Sequence, residues 1–222
     1  MKKVLITGSD GRIGKILVEG LKNKYNLVFA DLPGVDIRAY SSLKEVANGC
    51  FAIVHLAWNT KTENFQSHKI DEENTLMYEN IYKISKELGI KRLIIASSIH
   101  ADDFRKERKE LLKVSDNSRP LNPYGAHKVS MENLGKNYAS KDLQIVCVRF
   151  GAVGYATSDM GGEGSAVWLS PEDCVSLINK ILSVDKLKKD FEIVYGVSNN
   201  KTKVHDLGNS FGWKPKDDSS KL

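Results

Sequence analysis

Cysteine is scarce in this 222-residue chain: Cys50, Cys147 and Cys174 are the only three, and none stands at metal-ligand or Cys-x-x-Cys spacing. An odd, sparse set reads as reduced thiols in a cytoplasmic protein, with no metal site to expect. No stretch approaches the roughly 20 apolar residues of a membrane span, so no membrane partner is expected. The N-terminal apolar run is four residues long and a glycine turn follows at once, which predicts no targeting segment. Internal repeats and linker-like low-complexity stretches are also missing. A basic stripe is absent despite the net charge of +5. The densest run, Arg105 to Lys113, is interleaved with Glu107 and Glu110, which predicts a solvated, self-paired helix face and no nucleic-acid partner.

What is there suits a soluble globular protein. The 41% hydrophobic and 27% charged fractions are ordinary for a globular protein, and the length fits one α/β domain with a full core. Short β-branched apolar runs at Lys2–Thr7, Leu27–Ala30, Phe51–Leu56, Leu93–Ala96, Leu143–Arg149 and Phe191–Tyr195 predict strands. Helical spacing of Ile13, Ile16, Leu17 and Leu21 predicts a helix between the first two. Further helices are expected near Ser41–Ala47 with Ser41 or Ser42 as cap, at Ile70–Leu88 ended by Gly89, at Asn122–Tyr138, and at Pro171–Leu182. Alternating strands and helices, with near-continuous apolar strands, predict a doubly wound, Rossmann-type parallel sheet covered on both faces. Ala101–Pro120 and Gly151–Gly164 read as mobile loops at strand carboxyl ends, where ligands bind in such sheets.

The turn between the first strand and helix reads Thr7-Gly8-Ser9-Asp10-Gly11-Arg12-Ile13-Gly14. A pyrophosphate needs exposed backbone N–H groups, close backbone approach and the positive end of a helix, and glycines in this setting supply all three. Two other Gly-x-x-Gly pairs, Gly151/Gly154 and Gly161/Gly164, precede no helix at the right offset. Asp31 ends the second strand, 17 residues after Gly14. A carboxylate there accepts hydrogen bonds from ribose hydroxyls and repels a 2′-phosphate, which predicts NAD rather than NADP as cofactor. Arg12 is the residue that could favour a phosphate instead. Asp36, before the next helix, is placed to meet the adenine.

Tyr124 and Lys128 form a Tyr-x-x-x-Lys pair one helical turn apart. An ammonium beside a phenol favours the phenolate, and a tyrosine brought toward neutrality becomes a usable general base. The spacing recurs at Tyr40/Lys44 and Tyr82/Lys86, so context must separate the three. Only Tyr124 follows a strand ending in Ser97-Ser98, which brings a serine hydroxyl to the same sheet edge. Tyr82 lies among Met77, Ile81 and Ile84, where packing is expected, and Tyr40 precedes a helix near the adenine end.

Taken together, TGSDGRIG, Asp31, VHLAW (54–58), Asn74, ASSIH (96–100) and PYGAHK (123–128) resemble the extended short-chain dehydrogenases/reductases, the NAD-dependent epimerase/dehydratase family. The resemblance covers most of the chain. It implies Tyr124 as base, Lys128 on the nicotinamide ribose, and Ser98 bonded to the reacting oxygen. It further implies Ile37, Leu56, Ala57 and Asn74 along the cofactor, with His55 in a structural role. Within that family, residues 168–178 and 207–217 resemble segments of the uronate dehydrogenase group, which implies Thr60 and His100 as substrate contacts. Two departures point away from uronates. Ile99 stands where that group has asparagine, and Glu163 falls where it carries the arginine that grips the carboxylate. Burying a carboxylate beside Glu163 without a cation would be costly.

The reading is therefore an NAD-dependent dehydrogenase of a small hydroxylated molecule, a neutral sugar above all. Residues 150–222 are expected to form its substrate-side cap. The alternatives are a nucleotide-sugar epimerase or dehydratase, against which the short stretch after Arg149 speaks, and a non-catalytic dinucleotide sensor, against which Ser98, Tyr124 and Lys128 speak. Family resemblance implies a homodimer through the helices at Ile70–Leu88 and Tyr124–Tyr138.

Overall fold

The computed structural model describes residues 1–60, 71–104, 109–120, 122–154 and 163–221, and of residues 163 and 164 the backbone alone. Six strands form one sheet: β1 (Lys3–Thr7), β2 (Asn26–Ala30), β3 (Ala52–His55), β4 (Arg92–Ser98), β5 (Gln144–Phe150) and, at the far edge, Phe191–Gly196. Their order is β2-β1-β3-β4-β5 followed by Phe191–Gly196, and every pair is parallel. The chain moves outward from β1 to β2, then restarts on the other side of β1 with β3. That reversal opens a crevice at the carboxyl ends of β1, β2 and β3, where a doubly wound sheet takes its ligand.

Alternation along the strands builds two apolar layers. Val4, Ile6, Val54, Ile94 and Val146 face one side, where Leu17 and Leu21 of α1 (Arg12–Leu21) meet Leu177, Ile178 and Ile181 of the helix Pro171–Ser183. Leu5, Ile53, Leu93, Ile95 and Ile145 face the other, under α2 (Tyr40–Ala47), α3 (Glu72–Glu87) and α4 (Pro123–Tyr138). Each fully buried Leu or Ile contributes about 1.5 to 3 kcal/mol of transfer free energy, so both faces are strongly held.

Helix ends follow local chemistry in most places. Asp71 accepts from Asn74 N at 2.7 Å to cap α3, Gly89 stands beyond its end at φ +66°, and Asn122 accepts from Gly125 N at 2.7 Å to cap α4. The helix Pro171–Ser183 is capped by Ser170. Neither Ser41 nor Ser42 caps α2. The helix begins at Tyr40 with Ala39 in the cap position and no side-chain bond, because the turn before it is closed by backbone bonds such as Ala39 N to Asp36 O.

Several expected boundaries move. β4 runs past its apolar stretch to Ser98, with Ser97 and Ser98 both buried by later packing, and β5 ends at the buried Phe150. Residues 105–108 of the basic run lie outside the described residues, and the described remainder is not helical: Leu112 is buried and bridges His205. Ile70 and most of the second glycine-rich segment also lie outside. Its start is ordered into a short strand, Ala152–Val153, paired parallel with Trp168–Leu169. No described helix is long and apolar enough to cross a membrane, and no described cluster of His, Cys, Asp and Glu could hold a metal ion.

Candidate active site

A cavity of about 750 Å³ fills the crevice. Its walls include the glycine turn, Arg12 and Ile13 at the start of α1, Asp31 after β2, Asp36 and Ile37, and Leu56 to Thr60 after β3. That volume lies within the usual range of ligand pockets. The turn is built for close approach. Gly8 has φ +74°, and a Cβ there would stand 2.6 Å from Ala57 N; a Cβ on Gly14 would stand 2.3 Å from Gly8 O. Gly11 precedes α1 with no side-chain cap, so the first-turn N–H groups are left to another acceptor. These features fit the pyrophosphate of a dinucleotide.

After β2, Asp31 Oδ2 accepts from Ser9 N at 2.9 Å and from the Ser9 hydroxyl. Asp36 is paired with Arg38, whose guanidinium holds its carboxyl below the ordinary carboxylate range. Arg38 also reaches Glu73 at 2.9 Å. Asn80, which the sequence did not single out, donates to the Ile37 and Arg38 carbonyls at 3.2 and 2.9 Å and pins this loop to α3. Asn74 does not line the cavity. It is buried, and its side chain bonds both backbone groups of Asn59, at 2.7 and 3.3 Å, so it shapes the wall from behind.

At the end of β4 the fold gathers the candidate reactive groups. Ser98 ends β4 and caps the 3-10 turn Ile99–Ala101, and its hydroxyl lies near enough to Tyr124, in the first turn of α4, to lower the phenol's pKa. Lys128 follows one turn later, 3% exposed, with Nζ donating to the Ala96 carbonyl at 2.8 Å. His100 lies edge-on to Tyr124, and its Nδ1 accepts from the Asn122 amide at 3.1 Å, which assigns the ring proton to Nε2. Thr60 is exposed at the cavity rim, and Ile99 is buried in a small apolar cluster.

Tyr124 departs from the expected ionisation. Burial raises the phenol above its ordinary value, opposed only by the Ser98 hydrogen bond, and the same burial pushes Lys128 down to about 7. In the cofactor-free protein desolvation outweighs the attraction within the pair, so the tyrosine is a neutral phenol. The two other Tyr-x-x-x-Lys pairs are structural. Tyr82 is buried and donates to Met131 O at 2.9 Å, while Tyr40 and Lys44 both engage Glu87 on the surface. His55 bonds Thr7 Oγ1 at 2.8 Å through Nδ1 and is pushed down to about 3 by burial and by the neighbouring Lys128.

The family model of the NAD dependent epimerase/dehydratase family matches residues 4–159. The chain belongs to that family. Its relatives include an NAD-dependent glucose-6-phosphate dehydrogenase of Haloferax volcanii, 26% identical, covering 99% of this chain and 95% of that one. An L-arabinose 1-dehydrogenase (NAD(P)(+)) of the same organism is 31% identical over 78% of this chain and 80% of that one. Among solved structures, a mutant uronate dehydrogenase of Agrobacterium tumefaciens complexed with NAD superposes with a TM-score of 0.85 at 26% identity, covering 100% of this chain and 87% of that one. NAD is the cofactor of this family, and the cavity beside the glycine turn is the candidate site for it.

Two likenesses to the uronate dehydrogenase group have an architectural basis. Residues 168–178 and 207–217 lock together: Asp173 accepts from Lys216 N at 2.9 Å and Asp217 N at 3.0 Å, and Trp213 Nε1 donates to Ser176 at 2.9 Å. The segments thus carry a packing motif. Arg149 is likewise consumed internally. It is 1% exposed and bonds Glu132 at 2.8 and 2.6 Å, Ser118 at 2.7 Å, and Asp102. The side chain of Glu163 lies outside the described residues, as do Arg105 and Asp159.

Proposed function

We propose that this protein oxidises a neutral aldose at its anomeric carbon, passing hydride to NAD and releasing the lactone. More broadly, it is an NAD-dependent oxidoreductase of a sugar or sugar acid. The observation that carries the reading is the gathering of Ser98, Tyr124 and Lys128 at the end of β4, where Lys128 Nζ donates to the Ala96 carbonyl at 2.8 Å, in a sheet whose glycine turn admits no side chain at Gly8 or Gly14. For the reaction Tyr124 first releases its phenol proton to solvent, with Lys128 balancing the phenolate. The phenolate oxygen then takes the proton leaving the substrate hydroxyl, which Ser98 orients. Bound NAD supplies the acceptor for the hydride. Gly8, Gly11, Gly14, Arg12 and Ile13 hold the pyrophosphate, Asp31 the adenosine ribose, Asp36 and Ile37 the adenine, and Leu56 and Ala57 the wall between. His100 and Thr60 bind sugar hydroxyls, the neutral His100 ring donating through Nε2.

The choice of a neutral sugar rests on Arg149. Withdrawing it from Glu132 and Asp102 to grip a substrate carboxylate would break a buried ion cluster, at a cost of about 3 to 5 kcal/mol. The L-arabinose 1-dehydrogenase relative, named for a neutral sugar, is in keeping with this. Steady-state NADH formation with matched pairs, glucose against glucuronate, tests it. The neutral member should have the higher kcat/KM by about tenfold to a hundredfold, the worth of a missing charge-assisted pair. Turnover of the uronate with none of the sugar overturns the assignment.

The same reading carries a cytoplasmic location, supported by three free, buried thiols, and a homodimer through α3 and α4, where Leu76 is exposed. Residues 150–222 serve as the substrate-side cap of the unit. Light scattering of the purified chain at micromolar concentration measures the dimer.

A further inference from the structure

Trp58 stands two residues beyond Leu56 in the segment after β3, half-buried in the wall of the dinucleotide cavity. The face of its ring lies 3.5 Å from Lys128 Nζ, measured to the ring centroid. Its ring meets Tyr124 nearly perpendicularly at 5.8 Å and His127 at 4.9 Å. The indole Nε1 is buried and makes no hydrogen bond among the described residues, so the contacts of this tryptophan are those of its π-face and its edges. A residue present only to fill space needs no such placement over a buried amine.

We propose that Trp58 is a positioning residue for the Tyr124–Lys128 pair: its face holds the Lys128 ammonium and its edge holds the Tyr124 ring, setting the pair in register before cofactor enters. The inference rests on the reading that this pair performs the chemistry.

The electrostatic case is local. Lys128 has one hydrogen bond, to Ala96 O, and is otherwise enclosed. Facing it are His55 from β3, Cys147 from β5, and Glu132 and His127 on its own helix, with Tyr124 a turn before. Glu132 favours the charged amine, but it is shared with Arg149 and Ser97. After the Ala96 carbonyl at 2.8 Å, the negative face of the indole at 3.5 Å compensates the ammonium taken out of water, and the attraction strengthens as water is excluded. Because the indole also contacts Tyr124, a displaced ring would move both groups at once.

The test uses the full chain without cofactor, labelled with 13C-lysine, the Lys128 Cε signal being assigned by its loss in Lys128→Met. In Trp58→Leu the Lys128 pKa should fall by about 0.5 to 1.5 units, the shift that a lost cation–π contact of ordinary strength gives. Trp58→Phe, which keeps a ring, should recover at least half of that shift and of the activity. In Trp58→Leu, kcat for sugar oxidation should fall about tenfold or more and its pH profile should move by the same amount as the amine. The Kd for NAD, by calorimetry, should stay within about threefold. An unchanged Lys128 titration in both folded variants, with kcat within twofold of the parent, overturns the proposal. A shifted Lys128 in a protein whose parent oxidises no sugar supports the positioning role and removes the dehydrogenase reading instead.

Discussion

Replacing Gly125 by alanine is the sharpest probe of how the site is assembled. A Cβ on this residue would lie 1.9 Å from the His100 carbonyl oxygen and 2.7 Å from its carbon, with Pro120 Cβ at 3.1 Å. Real Cβ contacts essentially never fall below 3.0 Å, so the backbones must separate by at least about 1.1 Å (3.0 against 1.9 Å). One of them is the first turn of α4, which carries Tyr124 and leads into Lys128; the other is the 3-10 turn that Ser98 caps. Any relief of the clash therefore lengthens the Ser98–Tyr124 contact. A misplacement of about 1 Å costs on the order of a hundredfold in rate, and overpacking costs about 1 to 3 kcal/mol. For a chain of this size each kcal/mol lowers Tm by roughly 2 to 4 °C. The expected outcome is kcat down about a hundredfold and a lower Tm, with NAD affinity little changed because the glycine turn belongs to α1. Gly135→Ala is the control on the same helix. Its Cβ would meet the Tyr82 hydroxyl at 2.6 Å, far along the helix from the chemistry, so it should cost stability but leave kcat within about threefold. Parental turnover and Tm in Gly125→Ala, or an equal loss of turnover in both variants, would refute the reasoning.

Tyr124→Phe should lower kcat by about two to four orders of magnitude, the usual worth of a positioned acid–base group. Tyr82→Phe, which loses its bond to Met131 O, should cost about 1 kcal/mol in stability and leave turnover intact; the reverse pattern would put the chemistry at the wrong motif. Calorimetric titration should show NAD binding more tightly than NADP, with the gap narrowed in Asp31→Ala, and tighter NADP binding in the parent would make Arg12 the governing residue. His55 is held near 3 in the folded protein against 6.5 in the open chain, so between those values the unfolded state binds more protons. The stability contribution is complete above pH 6.5 and is lost as pH falls toward 3, by up to about 1.4 kcal/mol per pH unit. Denaturant unfolding at pH 4 and 7 should show a flatter dependence in His55→Gln, and an equal slope in both proteins would count against the buried neutral imidazole.

The order of strands and helices was legible because fully buried parallel strands must be apolar along their whole length, as in Val4 to Ile6 and Ile145 to Val148. The glycine turn was legible because close backbone approach leaves its trace at single positions, Gly8 and Gly14. Order along the chain also made Tyr124 the candidate over Tyr40 and Tyr82, since only it follows a strand that ends in serines. Tertiary structure alone decided the rest. The ionisation of Tyr124 and Lys128 follows from how far water is excluded, which reversed the expectation drawn from their spacing. Arg149 was spent on Glu132, Asp102 and Ser118, partners 17, 47 and 31 residues away. Trp58 came to lie over an amine 70 positions later in the chain. Periodicity and turn chemistry are properties of neighbours in sequence, whereas desolvation and the pairing of buried charge depend on which distant segments share a volume, and that is settled only when the layers close.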